Sequence, residues 1–140
     1  MAEAQCREQG LRMTSGRQKV LGLLLREHRA LGAYEIIDLM DAEGWRVKPP
    51  IAYRALNFLT RHGFAHRIER LNAFVACSHP GERHSPAFMI CRMCHAVAEA
   101  HLNPAKGALG AAARAAGFQI ERTMVEAEGI CPACSEAAAA

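Results

Sequence analysis

The chain is poor in aromatic side chains, with one Trp, two Tyr and five Phe among 140 residues. No apolar run approaches the roughly 20 residues that a membrane-crossing helix needs, and the opening MAEAQCREQG lacks the apolar stretch of a secretory signal. These absences lead us to expect a soluble, cytoplasmic protein with no membrane partner. The length excludes a large multidomain enzyme and allows at most two compact domains. Apolar residues make up 51%, but 27 of them are Ala, so the core of each domain is expected to be thin. Metal binding and dimerisation are the usual remedies for so small a core.

Charge and cysteine are distributed in opposite senses. Residues 1–70 carry 12 basic and 8 acidic side chains (+4), and residues 71–140 carry 5 and 6 (−1). Only the first half is suited to approach a polyanion. Five of the six cysteines lie in the second half. In a reducing compartment, pairs at short fixed spacing favour metal ligation over disulfides.

Residues 1–77 are patterned mostly as helices. Thr14 is a good N-cap for a helix through His28 with an apolar stripe of Val20, Leu21, Leu24 and Leu25. A second helix, 33–43, would bury Ile36, Ile37 and Met40 and stop at Gly44. A third starts at Pro49-Pro50, where a fixed φ and a missing N–H are harmless, and ends at Gly63. Two β-like runs, 64–70 and 73–77, follow as a hairpin about Leu71-Asn72. Together these elements predict a winged helix.

The polar stretch 78–86 reads as a hinge. Beyond it, residues 87–140 read as a small α/β domain. Its expected parts are strands at 87–91 and 96–102, an Ala-rich helix opened by Asn103-Pro104 and closed by Gly117, a strand at 118–128 and a frayed tail from Ser135. The fold class is therefore α+β.

In the third helix Ala52, Ala55, Leu56 and Leu59 share one face, which puts Arg54, Asn57 and Arg61 on the other. Arg can bond guanine O6 and N7, and Asn adenine, through paired hydrogen bonds in a DNA major groove; a solvated helix face is the ordinary alternative. Tyr34 and Tyr53 sit at helix edges, equally suited to partial burial or to a sugar-phosphate or base contact.

Cys91-Arg92-Met93-Cys94 is followed, after 36 intervening residues, by Cys131-Pro132-Ala133-Cys134. Two such turns can present four thiolates tetrahedrally to zinc and leave no position open to water, which defines a closed structural site. Free thiols or two redox pairs are the alternative. A redox pair should open a helix beside a strand, whereas these turns are expected to join strands. His66, Cys77, His84 and Glu99 form a second candidate set that spans the hinge. Taken singly, each has an ordinary explanation as a surface group or a buried small side chain. A thiol oxidoreductase and a zinc-ribbon-like module that binds protein remain open on these residues alone.

The order of these motifs resembles the ferric uptake regulator family and, within it, the zinc uptake regulator branch. The resemblance runs through 11–14 with Arg17, 32–37, 48–59 (Lys-Pro-Pro-Ile-Ala-Tyr-Arg-Ala-Leu-Asn-Phe-Leu), 63–69, Cys77, His84 and both Cys pairs. It implies a dimeric, metal-dependent repressor of transcription, without enzymatic activity or small-molecule substrate, that binds double-stranded operator DNA through the winged helix and dimerises through the C-terminal domain. It further implies two zinc ions per chain. The structural one falls to Cys91, Cys94, Cys131 and Cys134, and the regulatory one to His66, Cys77, His84 and Glu99. Base reading falls to Arg54, with Tyr34 as a further DNA contact. Iron, manganese and peroxide sensors are siblings in the family. The His-His-Asp-His run typical of iron sensors is absent after Cys77, and a thiolate in the sensing set favours zinc over a hard ion. Two departures stand out: Ile51-Ala52 replaces the usual Thr-Val, and His95 follows Cys94 where Gly is usual.

Overall fold

The computed structural model describes residues 2–27, 29–78, 85–102, 106–121 and 123–139. The chain divides into two units, residues 1–81 and 82–140. Most of the expected hinge, residues 79–84, lies outside the described residues, as do His28, His79 and His84.

The first unit contains α1 (Ala2–Glu8), α2 (Ser15–Arg26), α3 (Ala33–Ala42), α4 (Pro49–Arg61), β1 (Ala65–Ile68) and β2 (Ala73–Ala76). Thr14 caps α2 by accepting the Arg17 N–H at 3.3 Å. At α3, Glu35 Oε1 accepts the Gly32 N–H at 3.3 Å, the arm of a capping box that an N-cap without a side chain leaves available. Pro49 and Pro50 occupy the first turn of α4. Gly44 and Gly63 take φ of +85° and +79°, so the chain reverses at the expected ends of α3 and α4, and the Trp45 and Phe64 N–H groups return to Met40 O and Leu59 O at 2.8 Å each. Val20, Leu23, Leu24, Leu31, Ile36, Met40, Leu56, Leu59 and Phe64 form the core.

Four details differ from the sequence reading, the first being that Ile37, expected in the core beside Ile36 and Met40, is only partly buried. Leu25 is 60% exposed and Leu23 takes its place in the core; both lie about 100° round the helix from Leu24, so the helix period does not choose between them and the packing of the neighbouring helices does. Helix α1 has no signature in the sequence: among its described side chains only Cys6 is fully buried, and one residue cannot display a period. The hairpin connection is four residues, 69–72, with the Asn72 N–H bonded to Glu69 O at 3.2 Å, so both strands are shorter than their apolar runs. β1 and β2 pair antiparallel from Ala65↔Ala76 to Ile68↔Ala73. Leu31 bridges to Phe74, which ties the wing to the helices.

Glu43, just past α3, pairs with Lys19 at 2.8 Å and Arg26 at 3.1 Å and so clamps α3 to α2. Hydrogen bonds from Arg26, and next from Lys19, lower its pKa from 4.5 to about 2. A depressed carboxylate stabilises the fold above its unfolded pKa, and that contribution disappears as pH falls through the folded one. Glu43→Gln should therefore lower the melting temperature at neutral pH and make little difference near pH 2, which melts at both pH values would check.

The second unit holds β3 (Ser85–Cys91), β4 (Val97–Leu102), α5 (Ala108–Ala116), β5 (Val125–Gly129) and α6 (Pro132–Ala139). Its sheet order is β4-β3-β5. β3 and β4 are antiparallel neighbours. β5 lies parallel to β3, a pairing that needs a crossover, which the segment containing α5 provides. Gly117 at φ +68° closes α5 as expected. Residues 103–105, the expected start of that helix, lie outside the described residues, and α5 begins at Ala108 after an N-cap at Gly107. The expected strand 118–128 contracts to Val125–Gly129, the stretch that pairs with Ala87–Cys91 of β3. The tail expected to fray forms α6 instead, with Pro132 in its first turn and an alanine run behind it. Among the described residues no helix is long and apolar enough to cross a membrane.

Candidate metal centre and nucleic-acid interface

Cys91 ends β3, and a tight turn over 92–94 places Cys94. The turn closes through the His95 N–H to Cys91 O at 3.0 Å and the Cys91 N–H to Ala96 O at 2.9 Å. His95 has φ of +62°, a left-handed conformation that Gly adopts without strain and that explains why Gly is usual there. The Arg92 N–H donates to Gly129 O at 2.9 Å. This bond fastens the first cysteine turn to the end of β5, two residues before Cys131.

The Sγ atoms of Cys91, Cys94, Cys131 and Cys134 all lie within 4.8 Å of one another, and Cys94 and Cys131 are 3.7 Å apart. A zinc tetrahedron with Zn–S bonds of about 2.3 Å has edges of about 3.8 Å, so the four thiols fit zinc. Cys131 donates its N–H to Cys91 Sγ at 3.4 Å, and Cys134 donates its own to Cys131 Sγ at 3.5 Å. The backbone N–H of Cys131, then that of Cys94, lower the Cys91 pKa to about 6, whereas side-chain hydrogen bonding with Cys131 first, then with Cys94 and Cys91, pushes Cys134 up to about 12. Four thiols this close cannot all ionise unaided, and a bound divalent cation removes that conflict.

The expectation that both cysteine turns join strands is corrected for the second. Cys131 follows β5 and Cys134 lies in α6, so this pair does open a helix beside a strand, the placement expected of a redox pair. What favours metal over redox chemistry is the convergence of both pairs on one point.

In the first unit, His66 on β1 and Cys77 just beyond β2 have ligand atoms within 4.8 Å of each other. The hairpin causes this: Cys77 extends the pairing past Ala76 by donating its N–H to Phe64 O at 2.9 Å, which keeps it beside β1. Cys77 is buried. In the second unit, Glu99 is half-buried on β4, opposite Phe88 of β3.

Helix α4 buries Ala52, Ala55, Leu56 and Leu59 and exposes Arg54, Asn57 and Arg61. Tyr34, second residue of α3, is 65% exposed and Tyr53 38%, so neither is a core aromatic. Arg17, which the sequence reading does not single out as a site residue, stacks its guanidinium 3.8 Å from the Phe58 ring centroid and donates to Arg12 O at 2.6 Å. It borders α4 and adds a held positive charge beside it. In the sequence this contact is only a cation and an aromatic far apart along the chain.

The pattern of the ferric uptake regulator family matches residues 8–128. The zinc uptake regulation protein of Escherichia coli K12 is 35% identical over 136 residues, 96% of this chain and 80% of that protein. Among solved structures, a zinc uptake regulator complexed with zinc and DNA superposes with a TM-score of 0.90 at 36% identity, covering 99% of this chain and 93% of the other. Holo XcZur superposes with a TM-score of 0.84 at 40% identity, covering 96% and 94%. A winged helix, a four-cysteine centre and likeness over nearly the whole length lead to one conclusion: the chain belongs to the ferric uptake regulator family.

Proposed function

We propose that this protein is a zinc-responsive repressor of transcription that binds operator DNA as a homodimer and controls genes of zinc uptake. The observation that carries this reading is the likeness, over almost the entire chain, to a zinc uptake regulator complexed with zinc and DNA. In this reading two zinc ions serve each chain. Cys91, Cys94, Cys131 and Cys134 hold the structural ion. His66, Cys77, His84 and Glu99 hold the regulatory one, and the closeness of His66 and Cys77 within the wing supports that set. Bound there, zinc supplies positive charge to a mixed nitrogen, sulfur and oxygen donor set, a combination it accepts and harder ions do not.

The remaining steps belong to the protein. His66 and Cys77 belong to the winged helix and Glu99 to the second domain, so full ligation selects one arrangement across the hinge at 78–86. That arrangement is the one that binds DNA, and zinc and DNA affinity are coupled through it. Arg54, Asn57 and Arg61 face the major groove, and Tyr34 and Tyr53 flank it. No bond is made or broken, so the protein is not an enzyme and takes no small-molecule substrate. It acts in the cytoplasm.

The test is operator binding titrated against buffered free zinc, with iron and manganese in parallel. Zinc should restore binding at free concentrations where the other two do not. An equal response to iron or manganese would overturn the zinc assignment. Arg54→Ala should weaken specific binding by about 1–3 kcal/mol, with far less effect on nonspecific binding and none on zinc content. Equal loss of both affinities would make Arg54 a phosphate contact instead.

A further inference from the structure

We infer that Ile51 reads the 5-methyl group of a thymine in the base pair next to the one read by Arg54. This rests on the DNA-binding reading of α4 and goes beyond it, since it assigns a specificity-determining role to a side chain that departs from the family pattern.

Ile51 lies in the first turn of α4 and is 52% exposed. A helix in the major groove contacts base edges with its N-terminal residues, so this turn is where sequence is read. Ile51 lies three positions before Arg54, which sets it about 60° round the helix and about 4.5 Å along its axis. The rise per base pair is about 3.4 Å, so the two side chains meet adjacent pairs. Both are exposed and both border a cleft with Arg17, Trp45 and Val47.

The chemistry narrows the target. An isoleucine side chain has neither donor nor acceptor, so it cannot bond a phosphate or the nitrogen and oxygen atoms of a base. The one apolar group on the floor of the major groove is the thymine methyl. Helix propensity does not call for isoleucine here, because β-branching lowers it, and about half of the residue is left exposed. The competing explanation is local: Ile51 could serve only to cover Val47 and Trp45 along the cleft.

The experiment uses the full-length, zinc-loaded protein. Sites are enriched from a random duplex library, and each thymine of the enriched site is then replaced, one at a time, by deoxyuridine, which lacks only the methyl. The expected result is one thymine per half-site, beside the pair whose identity matters to Arg54, at which uridine weakens wild-type binding about fourfold, the effect of burying one methyl. The same exchange should leave Ile51→Ala unaffected, and that variant should melt like wild type. If specific binding is intact but no thymine responds, or if Ile51→Ala and wild type respond alike, the contact is overturned. So is it if Ile51→Ala loses stability and binds every sequence more weakly by the same factor, which would assign Ile51 to the cleft. Failure of the zinc-loaded wild type to enrich any sequence would overturn the repressor reading and this contact with it.

Discussion

Replacing Cys91 or Cys131 by serine is expected to unfold residues 82–140 while the winged helix keeps its structure. The fully enclosed large side chains are distributed unevenly. Phe64, Leu23, Leu31, Ile36, Met40, Leu56, Leu59 and Ile68 all belong to the first unit, and among the described residues the second contributes only Phe88. A three-stranded sheet with so little enclosed apolar volume is marginal. Apparent binding energies of structural zinc are about 10–16 kcal/mol, as large as the roughly 5–15 kcal/mol that stabilises a typical domain. Serine keeps the size of the side chain and removes the soft anionic ligand, and the three remaining thiols then no longer close the tetrahedron. Amide exchange measured separately over residues 1–78 and 85–139, alongside zinc content, would report the outcome. A Cys91→Ser protein that is zinc-free yet protected throughout would show that the sheet stands without metal.

The second large effect concerns the hinge. For the wild type, operator DNA should tighten the regulatory zinc by about 5- to 150-fold, and zinc should tighten operator DNA by the same factor, because a coupling free energy of about 1–3 kcal/mol is reciprocal. His66→Ala and Glu99→Ala should each abolish this coupling while the four-cysteine site stays loaded. Mild chelation should strip one zinc per chain and spare the other, since the proposed structural site is closed by four thiolates and the proposed regulatory site is mixed and draws its ligands from both domains. Zinc affinity measured with and without operator DNA, and stoichiometry by native mass spectrometry, would check both statements. Equal zinc affinity in the two conditions would remove the coupling mechanism even for a protein that binds both ligands.

Some features are legible in the sequence because their causes act within a few residues. Pro49-Pro50 can open a helix but not continue one, Thr14 offers a side-chain acceptor to the first turn, and Gly44, Gly63 and Gly117 permit the left-handed φ that ends a helix. The alternation of Ala52, Ala55, Leu56 and Leu59 with Arg54, Asn57 and Arg61 determined which face of α4 is buried. The spacing of the two cysteine pairs likewise determined the donor chemistry of the metal centre, since two short turns of thiols suit few ions other than zinc.

Tertiary structure decided what depends on partners distant in the chain. The burial of Cys6 in α1 and the exchange of Leu23 for Leu25 follow from which helices pack together. The contraction of the last strand to Val125–Gly129 follows from where it pairs with β3, from Ala87↔Val125 to Cys91↔Gly129, and no local pattern encodes that length. The second cysteine pair reads the same in sequence whether it joins strands or opens a helix. It is the pairing of β3 with β5, the bond from Arg92 N–H to Gly129 O and the bond from Cys131 N–H to Cys91 Sγ that bring the two turns to one point, with Cys94 and Cys131 3.7 Å apart. Short-range sterics and capping are properties of the residues themselves, whereas burial and strand pairing are properties of the surfaces that residues far apart present to one another.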